Sequence, residues 1–65
     1  MTAPEGVCVI RAWFEQDAGR LRARITHTLD ISEHDETVFT VACADDVRDA
    51  VTGWLDAFER QRPGG

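Results

Sequence analysis

Arg20-Leu21-Arg22-Ala23-Arg24-Ile25 decides how this chain folds. Charged and apolar side chains alternate with period two. An extended backbone therefore sends every arginine to one face and Leu21, Ala23 and Ile25 to the other. The segment reads as a β-strand in a sheet whose two faces differ in chemistry. With Arg11, it gathers four of the seven basic residues into a short window of a 65-residue chain whose net charge is −5.

Upstream, Val7 to Glu15 is β-branched and aromatic, the composition of a strand. Gln16-Asp17-Ala18-Gly19 then supplies turn chemistry with glycine in last place. A loop over these four residues pairs Glu15 with Arg20. Continuing that register sets Phe14 against Leu21, Ala12 against Ala23, Ile10 against Ile25 and Cys8 against His27. All but the last pair are apolar on both sides, so the hairpin is self-consistent.

Downstream, the second strand is expected to run from Arg20 to Ile31, and Ser32-Glu33-His34-Asp35-Glu36 forms a polar connection. Thr37 to Cys43 is the third strand, on which Val41 and Phe39 are expected to meet Leu29 and Ile31 and extend the core. Asp45 or Asp46 then caps a helix reaching about Arg60. Its apolar residues Val47, Ala50, Val51, Trp54, Leu55 and Phe58 recur at the spacing of an amphipathic helix. Early aspartates and late arginines suit its dipole.

The expected fold is α+β: a three-stranded antiparallel meander with one C-terminal amphipathic helix packed on one face. It forms a single domain over residues 7–61, with an N-terminal tail over 1–6 and a C-terminal tail over 62–65. A chain this short sits near the lower limit for folding without staples, where one core supplies about 3–5 kcal/mol net. No apolar run approaches the ~20 residues of a membrane span. Residues 1–6 lack the basic and apolar regions of a signal peptide, so the expected location is cytoplasmic.

The helix covers one face and nothing in the sequence covers the other. That open face carries Val9, Arg11 and Trp13 opposite Thr26, Arg24 and Arg22, with Val38, Thr40 and Ala42 on the third strand. Arg22 is expected to stack on the Trp13 indole. Tryptophan and arginine are enriched at interface hot spots. Val9, Arg11, Trp13, Arg22 and Arg24 are therefore the candidate binding residues. A protein partner or a second copy of the chain is the expected ligand. Nucleic acid, with phosphates on the arginines and a base on Trp13, ranks below it, because twelve acidic residues oppose the electrostatic footprint such binding needs.

Cys8, His27 and Cys43 have the residue types of a thiol enzyme or a zinc site. In the expected register they share one row on the core face. The row offers no fourth zinc ligand, and strand spacing puts the two thiols roughly 10 Å apart, too far for a disulfide. The acidic connection at 33–36 has no cation-binding spacing. No phosphate-binding glycine loop, nucleophile elbow or metalloprotease motif is present. The expectation is a non-catalytic module without metal or cofactor, the three-residue row being its only enzymatic alternative.

Val9-Ile10-Arg11-Ala12-Trp13-Phe14-Glu15, then Gly19-Arg20-Leu21-Arg22-Ala23-Arg24-Ile25, then a helix ending Trp54-Leu55, resembles small uncharacterised bacterial proteins, many actinobacterial. The chain is also similar to the HicB-type antitoxin domain, itself β-β-β-α with a glycine-bearing first turn. That family's proline-containing segment after the second strand is replaced here by Asp30-Ile31-Ser32-Glu33, and residues 61–65 do not read as a DNA-binding segment. The second resemblance implies toxin neutralisation, with no binding residue carried over.

Overall fold

The computed structural model describes residues 4–17, 19–33 and 35–62. Ala18 of the first turn, His34 of the acidic connection and the terminal residues 1–3 and 63–65 lie outside the described residues. Strands β1 (Val7–Phe14), β2 (Leu21–Thr28) and β3 (Thr37–Val41) form one antiparallel sheet in that order, and helix α1 (Ala44–Glu59) follows. This is the β-β-β-α arrangement expected from the two periodicities.

The first hairpin has the expected register throughout, from Val7 opposite Thr28 to Phe14 opposite Leu21. Its turn closes with the Glu15 amide donating to the Arg20 carbonyl and the Gly19 amide donating to the Glu15 carbonyl, both at 2.8 Å. Gly19 sits at φ +61°, a left-handed conformation that glycine reaches without a Cβ clash. Just upstream, Glu5, placed in the N-terminal tail by composition, accepts a hydrogen bond from the Ile31 amide at 2.8 Å.

The second hairpin differs from expectation. β2 stops at Thr28, and Phe39 and Val41 pair with Ile25 and Ala23 rather than with Ile31 and Leu29. Local side-chain hydrogen bonds end the strand. The Asp30 amide donates to Thr28 Oγ1 at 3.3 Å, and Ser32 donates to Asp30 Oδ1 from its amide (2.9 Å) and its hydroxyl (2.7 Å). Such bonds compete with a ladder for the same backbone groups. Ile31 is consequently exposed instead of extending the core.

α1 also starts differently. Cys43 is the N-cap residue and makes no side-chain capping bond, while Asp45 and Asp46 lie in the first turn. There they act through the helix dipole rather than as caps. The last turn holds no basic residue, and Arg60 is the C-cap. The C-terminal half of α1 is pinned to the end of β2. Trp54 Nε1 donates to the Thr28 carbonyl at 3.1 Å, and Gln61 Nε2 donates to the Leu29 carbonyl at 2.9 Å. Trp54 stacks on Phe58 with ring centroids 5.9 Å apart.

Of the described residues, only Ala23 and Ile25 of β2 are buried, at 1% and 0% exposure. The helix therefore lies over the central strand. It leaves Ile10 and Phe14 of β1 uncovered on the same side, at 44% and 70% exposure.

Candidate interaction surface

The five expected binding residues come from β1 and β2 and lie together on the face opposite α1. Because the pleat alternates, Val9, Arg11 and Trp13 share that face with Thr26, Arg24 and Arg22, their direct partners across the hairpin. β3 continues it with Val38 beside Thr26 and Thr40 beside Arg24. Val9, Trp13 and Val38 are 54%, 41% and 46% exposed.

The arginines divide by their partners. The Arg22 guanidinium donates from Nε to Glu15 Oε1, an ion pair across the mouth of the hairpin. This corrects the expected stacking of Arg22 on Trp13; no cation–π contact forms among the described residues. A carboxylate within reach outbids an indole because charge-assisted hydrogen bonds are stronger than an exposed cation–π contact. Arg11 and Arg24 face each other directly and make no ion pair among the described residues. Like charges directly opposite on a sheet are destabilising.

At the far end of the same face, a groove of about 320 Å³ opens between the strands and the β2–β3 connection. Val7, Val9, Thr26 and Ile31 line it, with Glu33 and Glu36 on its rim. The open face is thus polarised, with arginine and tryptophan at the turn end and valine bounded by glutamates at the other. Sequence reading missed the groove because it depends on where the connection folds after the Thr28–Asp30 break. The one available signal was the excess of acids at 33–36.

The row of Cys8, His27 and Cys43 does not exist. Cys8 does pair with His27, but His27 pairs on its other side with Thr37. Cys43 lies two residues beyond Val41, which pairs with Ala23, so it is roughly 20 Å away along the strand direction. His27 packs edge-on against Phe39, with centroids 5.9 Å apart. Burial pushes the Cys8 thiol up, away from the thiolate a nucleophile needs. Among the described residues, no group of three or more His, Cys, Asp or Glu side chains is placed to hold a metal ion. No described helix is long and apolar enough to cross a membrane.

Comparison with protein families, curated proteins and solved structures finds no match to this chain.

Proposed function

We propose that this chain is a small, non-catalytic, cytoplasmic interaction or regulatory module that docks a protein partner on its open sheet face. Arg11 and Arg24 supply charge for partner carboxylates, Trp13 supplies the aromatic anchor, Val9 supplies apolar support, and Arg22 is held in place by Glu15. The observation that carries this reading is the Arg11–Arg24 pair. Two arginines directly opposite, without a counter-ion among the described residues, cost the isolated chain stability and are relieved by an incoming carboxylate. A second copy laid face to face would oppose arginine with arginine, so the favoured ligand is a different, acidic protein surface.

The test is capture of binding proteins from the native host by the wild-type chain and by Trp13→Ala/Arg24→Glu. A partner recovered by the first and lost by the second supports the reading. Equal recovery removes it. Titration with labelled RNA or DNA at two salt concentrations tests the competing ligand, because phosphate contacts give a steep salt slope. Tight, salt-steep binding lost on Arg24→Glu replaces the protein partner by nucleic acid.

A further inference from the structure

The side of the sheet that carries α1 is incomplete, and its gap lies along one edge. Ile10 and Phe14 stand on this side of β1 at 44% and 70% exposure, and Leu55 of α1 is 45% exposed. Phe58 approaches Gly6 immediately before β1, so closely that a Cβ on Gly6 would lie 3.0 Å from its ring, and Leu55 stands one helical turn before Phe58. The apolar side of β1 thus lies beside the helix rather than under it, leaving an uncovered furrow along the sheet edge.

The backbone of β1 is open along the same line. The Glu15 amide bonds inward to Arg20, so strand alternation turns the amides and carbonyls of Trp13, Arg11, Val9 and Val7 toward β2 as well. Those of Cys8, Ile10, Ala12 and Phe14 point outward with no strand to meet them. These are the residues whose side chains border the furrow. The β1 edge has eight residues with no proline, no lysine and no bulge in its pairing with β2, and Arg11 is its one charged residue. β3 has only five residues and turns only Val38 and Thr40 outward, so it is the poorer edge.

The geometry points to a second copy of this chain as the occupant, paired antiparallel through β1 about a twofold axis. The edge is self-complementary: a copy of the chain brings outward amides and carbonyls at the same alternate positions, and it brings Ile10 and Phe14 to set against each other across the axis. Pairing across the axis makes a continuous sheet, three strands from each copy, with both helices on one side. An axis at Arg11 would set Arg11 against the partner subunit's Arg11, and an axis at Ile10 would leave Phe14 over the partner subunit's Gly6. An axis at Ala12 sets Ile10 against the partner subunit's Phe14 on the helix side. It also sets Arg11 beside the partner subunit's Trp13 on the open side. About six main-chain hydrogen bonds then join the strands.

The open face remains free on the other side of the sheet, so the two docking events do not compete.

Sedimentation and light scattering from about 1 to 100 μM, with amide exchange followed by NMR, test the dimer. The wild type is expected to dimerise in this range, with exchange at Ile10, Ala12 and Phe14 slowing on the order of tenfold as dimer forms while Arg11 and Trp13 are protected at every concentration. Ala12→Pro removes an outward amide that β2 does not use, so it is expected to give a folded monomer. Phe14→Asp, at the most exposed of these positions, gives the same result and serves if the proline variant fails to fold. Arg24→Glu is expected to leave the dimer intact while abolishing partner capture, which separates this inference from the proposed function. A wild type monomeric throughout, a folded Ala12→Pro or Phe14→Asp that still dimerises, or an Arg24→Glu that monomerises overturns it.

Discussion

Reversing one charge of the Arg11–Arg24 pair should stabilise the protein. In Arg24→Glu, position 24 keeps its place opposite Arg11, and the substitution turns a repulsion into an attraction. Two guanidinium charges about 6–8 Å apart in water repel by roughly 0.5–0.7 kcal/mol, so reversal swings the pair by about 1 kcal/mol. Both side chains are exposed, and at physiological salt the Debye length of about 8 Å cuts that swing to roughly 0.5 kcal/mol. A 65-residue domain unfolds with an entropy near 140 cal/mol/K. The expected rise in Tm is therefore about 3–4 °C in physiological salt and roughly twice that at low ionic strength. Thermal melts followed by circular dichroism at two salt concentrations measure both values. A Tm that falls, or a rise that does not shrink with salt, refutes the argument that this pair is a strain held for binding. Because the same variant is expected to lose partner capture, a higher Tm also excludes unfolding as the cause of that loss.

The other predictions probe the frame of the fold. Gly6→Ala places a Cβ 2.9 Å from the Thr28 carbonyl oxygen and 3.0 Å from Phe58, and overpacking of this kind costs about 1–3 kcal/mol. Urea titration should show the loss; an unchanged midpoint would mean that Gly6 does not seat Phe58. Gly53→Ala is the opposite case: its Cβ meets nothing within 4 Å, and the helix should gain up to about 1 kcal/mol in the same assay. The Asp30 carboxyl is held below its ordinary value, first by the Ser32 hydroxyl and then by the Ser32 amide. A lowered folded-state pKa contributes stability that is fully present above the ordinary carboxylate range and is lost as pH falls through the lowered value. Ser32→Ala should move the Asp30 titration part of the way back up, as read by carboxyl NMR; no movement would remove the hydroxyl as its main cause.

The first hairpin was legible because its information is local. Period-two alternation, a four-residue turn and a glycine at its last position fix the pairing of Phe14 with Leu21 and everything beyond it. The open face follows from that register alone, so the sequence itself brings Val9, Arg11, Trp13, Arg22 and Arg24 together. The second hairpin was not legible in the same way. Thr28, Asp30 and Ser32 look like strand and loop residues by composition, and their mutual hydrogen bonds decide where β2 stops. That one shift moved Phe39 and Val41 along the sheet and took Cys43 out of the supposed thiol row. The partner of Arg22 was a choice between Trp13 and Glu15, both within its reach, and only the turn geometry selected the carboxylate. The furrow over β1 was least legible of all. Amphipathic spacing says which side of α1 faces the sheet, but the strand it covers depends on how Trp54, Phe58 and Gln61 anchor beyond Thr28.

A helix centred on β2 has a consequence for stability as well as for binding. With only Ala23 and Ile25 buried among the described residues, little of the apolar surface that α1 and β1 carry is removed from water. A core this small leaves about 3–5 kcal/mol at best. A ligand that binds only the folded state adds about 2.7 kcal/mol when present at a hundred times its dissociation constant. Association through the β1 edge would therefore add to a small stability, with the folded monomer as the species that pairs. The arginine face has the opposite relation to stability, since its like-charged pair weakens the isolated chain and is relieved by a partner. An apolar edge that needs a copy and a charged face that needs a complement lie on different sides of the sheet. With the twofold axis at Ala12, the two open faces become contiguous at Arg11 and Trp13. A partner bearing two acidic patches would then meet both at once, gaining affinity from effective concentration rather than from any new contact.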